Sequence, residues 1–313
     1  MTATVPADRI SKAAAPDFTR DLDLTTGELR ELLELAAMVK RNSSRYSQAL
    51  AGRSIALLFE KPSLRTRLTF ELAIRQLGGF SVGAEARIDA REPLRDVARN
   101  LERWVNAIVV RTFGQAVIEE LALWSSVPVI NALSDSFHPC QALADMMTLQ
   151  EKLGDLRGRT LAFAGDGNNM AHSLMLSSAR LGMNFALATP AGFGPDPAVV
   201  EQAGSLADAS GARLSITTNL EEALAGADAV YTDVWASMGQ EEEADARQKV
   251  FAPYQIDARA VSVAKPGALF MPCLPAKRGL EVTDAVIESS SSVVFDQAEN
   301  RLHAQKALLL MML

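Results

Sequence analysis

The chain has 313 residues, 48% of them hydrophobic and 22% charged, and a net charge of −7. That length allows two domains with sizeable cores and no dependence on disulfides. Residues 1–150 hold 18 basic and 18 acidic side chains, whereas residues 151–313 hold 13 and 20, a balance that argues against a general nucleic-acid binder.

No apolar run reaches the length of a membrane span, so no membrane role is expected. Asp8, Arg9, Lys12, Asp17 and Arg20 interrupt any signal-peptide core. The two cysteines, Cys140 and Cys273, lie far apart and form no CxxC pair. With only His138, His172 and His303 beside them, they make neither a disulfide framework nor a transition-metal cluster. A reduced, cytoplasmic setting without a metal or cofactor is the expectation.

In chain order, a buried strand is predicted over Ser54–Phe59, followed by a helix over Thr66–Leu77 with Ser63 as its N-cap. A helix over Leu94–Trp104 precedes strands at Ala107–Thr112 and Val127–Asn131. A helix over Gln141–Leu153 then runs into Gly154. Beyond the turn the pattern continues with strand Thr160–Ala164, helix Ala171–Leu181, strand Phe185–Thr189, helix Leu220–Ala225, and strands Ala229–Thr232 and Ala268–Met271. Such alternation predicts an α/β protein of parallel sheets flanked by helices. The turn after Leu153 is the expected boundary, giving domains of residues 1–150 and 151–297.

Open parallel sheets bind ligands at the carboxyl ends of their strands. Six polar clusters stand at such ends here. Three are in the first half, around Glu60–Arg67, Arg111–Gly114 and Ser136–Gln141. Three are in the second, around Gly165–Asn169, Asp233–Gly239 and Pro272–Pro275. Two domains with three polar strand ends each predict a cleft between them that takes two different substrates.

Ser63, Arg65, Thr66 and Arg67 open a helix, where unpaired N–H groups and the dipole favour an anion. The pattern is not a Walker loop. Pro139 biases His138 to an extended backbone just before the next helix. Gln141 could share a ligand with it, and Arg111 could bring a guanidinium to the same place. Gly165-Asp166-Gly167 resembles the start of a dinucleotide loop, but Met170 occupies the third glycine position. Asn168 and Asn169 stand at a helix start, where N-cap chemistry is their plainest role. Asp233 suits a substrate ammonium group.

Together the clusters resemble the aspartate/ornithine carbamoyltransferase family. Phe59–Arg67 is similar to its carbamoyl-phosphate signature, and His138–Asp145 to its second shared motif. Gly165–Asn169, Asp233–Gln240, Cys273–Ala276 and Asp296–Ala307 resemble the ornithine branch. The resemblance implies transfer of a carbamoyl group from carbamoyl phosphate to L-ornithine, giving L-citrulline and phosphate, in arginine metabolism. It implies two α/β domains with the active site in the interdomain cleft, the C-terminal helix (about 298–313) packing back on the first domain, and trimers or multiples of trimers.

By the same resemblance Ser63, Arg65 and Thr66, with the backbone N–H of Leu64, hold the phosphate. Arg111, His138, Gln141 and Arg301 surround the carbamoyl group, with Pro139 and Cys140 in the same motif. Asn169, Asp233, Ser237 and Met238 grip ornithine, and Cys273 and Leu274 line the meeting point of the substrates. The chain departs from the ornithine pattern at Pro272 and Lys277, each where His is common, and Arg87–Leu94 lacks a frequent Gln. The alternatives are a carbamoyltransferase for putrescine or an acylated ornithine, an NAD-dependent oxidoreductase, and a non-catalytic regulatory paralogue.

Overall fold

A computed structural model of the chain describes residues 10–60, 63–84, 88, 91–236 and 241–313. By internal contacts they form two units. One runs to Met147 and takes in Glu299–Leu313, and the other is Thr148–Ala298.

The first unit begins with α1 (Thr26–Arg41), started by a capping box in which Thr25 accepts from the Glu28 N–H and the Glu28 carboxylate accepts from the Thr25 N–H at 2.7 Å. There follow β1 (Ser54–Phe59), α2 (Leu64–Gln76), β2 (Phe80–Ala84), α3 (Leu94–Leu101), β3 (Ala107–Arg111), α4 (Gln115–Trp124), β4 (Val129–Leu133) and α5 (Pro139–Leu153). The strands pair in the order β2-β1-β3-β4, all parallel. β1 and β3 read as unbroken apolar runs because helices cover both faces of a parallel sheet. Ala56, Leu58, Ile108 and Val110 pack there against Ile118 and Leu121 of α4.

The second unit contains β5 (Thr160–Ala164), α6 (Asn169–Leu181), β6 (Asn184–Ala188), α7 (Pro197–Ser210), β7 (Leu214–Thr217), α8 (Leu220–Leu224), β8 (Ala229–Thr232), α9 (Ala244–Phe251), α10 (Ala258–Val263), β9 (Leu269–Pro272), α11 (Asp284–Ile287) and the start of α12 (Val294–Met312). Its parallel order is β7-β6-β5-β8-β9. Phe163 of β5 stacks on Tyr231 of β8 with ring centroids 5.5 Å apart. At the amino ends of these strands, buried Asp228 accepts from the Thr160 N–H (2.9 Å) and pairs with Arg159 (3.1 Å) and Lys265 (2.8 Å).

Two strands have no counterpart in the predicted pattern. β2 and β7 are edge strands, with Phe80 69% and Val82 54% exposed in β2. These two strands bury too little to imprint an apolar run, unlike β4 and β9 at the opposite edges. β4 starts at Val129 rather than Val127, because Pro128 has no N–H to give the ladder. No described helix is long and apolar enough to cross a membrane.

Candidate active site

In the first unit the carboxyl ends of β1, β3 and β4 bring three of the predicted clusters together. The Glu60 N–H donates to the Arg111 carbonyl (2.9 Å), and its carboxylate accepts from the Thr112 hydroxyl and the Ile88 N–H. Ser63 then stands at the N-cap of α2 with an extended backbone (φ −155°, ψ 103°). Its hydroxyl makes no cap hydrogen bond, so the first-turn N–H groups of α2, starting at Leu64, are not claimed by it. Arg65 is half-buried in that turn and Thr66 is buried. Arg67 is turned aside and pairs with Glu71 at 2.9 Å.

Thr66 is the point of convergence. Its Oγ1 accepts from Arg301 Nη2 at 2.6 Å, and Arg111 Nη1 lies 3.5 Å away. Arg301, carried by α12, also donates from Nη1 to Gln141 Oε1, and Gln141 Nε2 donates to Asp145 Oδ1 at 2.8 Å. Gln141 therefore orients the Arg301 guanidinium and keeps one amide hydrogen for another acceptor. The sequence pattern suggests Gln141 as a ligand donor alone and gives no hint of this coupling, which joins residues 160 positions apart.

His138 is the residue before α5, as Pro139 predicts, and it is buried. Burial, with the positive charges of Arg301 and Arg111 beside it, holds its pKa well below the ordinary imidazole value. The ring is therefore neutral near pH 7, with one nitrogen a donor and the other an acceptor. Pro139 and Cys140 form the first turn of α5. The Cys140 thiol is pushed up to about 12 by burial and donates to the Asn131 carbonyl at 3.2 Å, so it is protonated and structural.

The second unit gathers its polar residues where the strand order turns back, between β5 and β8. The Gly165–Asn169 turn follows β5, and Gly167 explains the Gly-x-Gly spacing. A Cβ there would lie 2.2 Å from the Pro195 nitrogen, and the Gly167 N–H donates to the Phe193 carbonyl at 2.8 Å. The glycine answers to close backbone packing rather than to a dinucleotide.

Asn168 caps α6, its Oδ1 accepting from the Met170 (2.9 Å) and Ala171 (3.2 Å) N–H groups. Its Nδ2 donates to Asp233 Oδ2 at 3.0 Å, and the Val234 N–H donates to Asp233 Oδ1 at 2.8 Å. Burial nonetheless pushes the Asp233 carboxyl up to about 7, and the acidic charges of Glu281 and Asp166 add to the rise. Asn169, half-buried, is the first residue of α6. The sequence offers cap chemistry for Asn168 and misses its hold on Asp233, which lies 65 residues away.

The Cys273 N–H donates to the Thr232 carbonyl at 3.1 Å, which brings residue 273 beside the end of β8. Leu274 packs partly on the core of this unit. Buried Glu281 accepts from the Lys277 N–H and so ties down the loop after β9. No sequence motif marks it. Ser237 and Met238 lie outside the described residues, as do Lys61 and Pro62. Among the described residues, no group of three His, Cys, Asp or Glu side chains could hold a metal ion.

The chemistry these groups offer is an anion site of converging guanidiniums at a helix start, and a buried carboxylate suited to an ammonium. Known proteins match this arrangement along the chain. Residues 17–151 match the family described as aspartate/ornithine carbamoyltransferase, carbamoyl-P binding domain, and residues 157–312 match its Asp/Orn binding domain. The ornithine carbamoyltransferase of Anoxybacillus flavithermus is 48% identical over 100% of this chain and 99% of its own. That of Thermococcus kodakarensis is 48% identical over 94% and 93%. The solved ornithine carbamoyltransferase of Pyrococcus furiosus is 46% identical with a TM-score of 0.93, covering 96% of this chain and 98% of that one.

Proposed function

The chain belongs to the aspartate/ornithine carbamoyltransferase family, and we propose how its residues divide the work of the reaction. It is an ornithine carbamoyltransferase, moving the carbamoyl group of carbamoyl phosphate to the δ-amine of L-ornithine to give L-citrulline and phosphate.

Ser63, Arg65 and Thr66, with the Leu64 N–H, hold the phosphate at the start of α2. The observation that carries this reading is the pair of guanidiniums, Arg301 and Arg111, directed at Thr66 Oγ1 from 2.6 and 3.5 Å. Attack on the carbamoyl carbon builds negative charge on its oxygen, and donors already in place stabilise that charge without reorganising. Arg111, Arg301, neutral His138 and the remaining amide hydrogen of Gln141 supply them. Pro139 and Cys140 contribute backbone at the start of α5. The phosphate leaves from a cradle that is already cationic.

Asn169, Asp233, Ser237 and Met238 grip ornithine, with Asp233 taking its ammonium end, and Cys273 and Leu274 line the reacting ends. The δ-amine must be neutral to attack, although its solution pKa resembles that of Lys. Much of the rate comes from holding the two substrates in line.

We also read the enzyme as a trimer or a multiple of one. Support comes from the apolar stripe of Leu68 and Leu72 on α2 with Phe80 and Val82 on edge strand β2, all exposed in one chain. The two cysteines, not joined in a disulfide, suit a reducing compartment such as the cytoplasm.

Arg65→Ala and Arg301→Met test the phosphate assignment. Each is expected to lose more than tenfold in kcat/KM for carbamoyl phosphate, about 1.4 kcal/mol or more. Near-normal values in either variant would remove that residue from the site.

A further inference from the structure

We propose that Arg247 is a positioning residue for ornithine, its guanidinium clasping the turn after β5 to the segment after β8. The inference rests on the assignment of ornithine to Asn169 and Asp233, which those two stretches carry.

Arg247 lies on α9 and is 6% exposed. It touches neither Asn169 nor Asp233 through any bond described above. Its Nη2 pairs with the Asp166 carboxylate, inside the Gly165–Asn169 turn. Its Nε donates to the Trp235 carbonyl at 2.5 Å, two residues beyond Asp233. Nη1 lies 3.6 Å from exposed Glu243, the N-cap residue of the same helix. The guanidinium carbon stands 4.9 Å from the centre of the Phe193 ring and 5.3 Å from that of Phe251. Trp235 stacks on Phe251 with centroids 6.1 Å apart.

A charge buried among aromatic rings is costly unless it is paired and hydrogen-bonded. Here both partners, the Asp166 carboxylate and the Trp235 carbonyl, belong to strand-end segments from the two sides of the β5–β8 junction. The planar fork lets one side chain face Asp166 and the Trp235 carbonyl at once while its central carbon lies over the Phe193 and Phe251 rings. A lysine ammonium can repeat the charge but not that geometry. The Gly167 N–H bond to the Phe193 carbonyl closes the arrangement, because the Phe193 ring also lies against the guanidinium. Loss of the clasp therefore frees the Asp166–Asn169 turn and the Asp233–Trp235 segment to move apart. It leaves the Thr66–Arg111–Arg301 constellation untouched.

The test measures kcat and both KM values for Arg247→Gln, Arg247→Lys and Asp166→Asn, with Tm alongside. Arg247→Gln is expected to raise the ornithine KM at least tenfold and to leave the carbamoyl phosphate KM within twofold of wild type. Arg247→Lys, which keeps the charge, is expected to raise the ornithine KM at least threefold. The effects of Arg247→Gln and Asp166→Asn should be less than additive in the double variant, since they break one pair. A merely structural role would lower Tm and active fraction, and hence kcat, with both KM values unchanged, and that result would overturn the proposal. If Arg247→Gln does not fold, Arg247→Lys decides, and an unchanged ornithine KM in it overturns the clasp. Failure of the underlying site assignment would show separately, as an unchanged ornithine KM in Asp233→Asn.

Discussion

Asp233, which we propose grips ornithine, carries a cost that a surface carboxylate does not. Its carboxyl, normally near 3.8, titrates at about 7 because burial opposes its charge more than Asn168 and Val234 favour it. Between those two values the folded chain keeps a proton that the unfolded chain has released, so stability falls as pH rises through the window. Asp233→Asn is therefore expected to raise Tm at pH 8, with the difference from wild type shrinking toward pH 4. It should also raise the ornithine KM at least tenfold and remove the rise in that KM on the acid side of about pH 7. Thermal melts and ornithine titrations across pH check both, and an unchanged or lower Tm at pH 8 would contradict the burial argument. At this scale the sequence was informative about residue type and silent about environment. Asp233 and His138 stand out by position after a strand or before Pro139. Nothing local reveals that one is driven toward its protonated form and the other held neutral, because burial and the Arg301 and Arg111 charges are assembled from distant segments.

The start of α6 does two jobs with one side chain. Asn168 caps the helix with its oxygen and steadies Asp233 with its nitrogen. Asn168→Ala should lose the cap, costing about 0.5–2 kcal/mol of stability, and should also raise the ornithine KM. Asn168→Asp separates the two jobs, since it can cap but cannot donate. It is expected to recover most of the lost Tm while the ornithine KM stays raised. Parallel recovery of both quantities would show that Asp233 does not depend on the amide. Element by element, the central strands β1, β5 and β8 were legible to the residue, because two-sided burial writes an unbroken apolar run. The edge strands β2 and β7 were not, since half their side chains face outward. α2 and α5 begin two residues earlier than the apolar periodicity indicates, α2 with exposed Leu64 and half-buried Arg65, and α5 with buried Pro139 and Cys140.

Across the whole molecule, the uneven charge has a chemical counterpart. The neutral first half contains the proposed anion site at α2, concentrated among balancing carboxylates. The acidic second half contains Asp233, with Glu281 and Asp166 close enough to be felt, a field that favours a diamino acid. The net −7 alone did not reveal this; the order of motifs from residue 59 to residue 307 did. What remained illegible was the long-range wiring: Arg301 to Gln141 and Thr66, Arg247 to Asp166 and Trp235. Pairs so far apart in the chain leave no pattern in one sequence. The most direct measurement is product identity when the purified protein is given carbamoyl phosphate with L-ornithine, N-acetylornithine or putrescine in turn. L-Citrulline and phosphate are expected from L-ornithine, with no comparable turnover of the other two; preference for either of those, or no turnover of any amine, would contradict the assignment of L-ornithine as substrate.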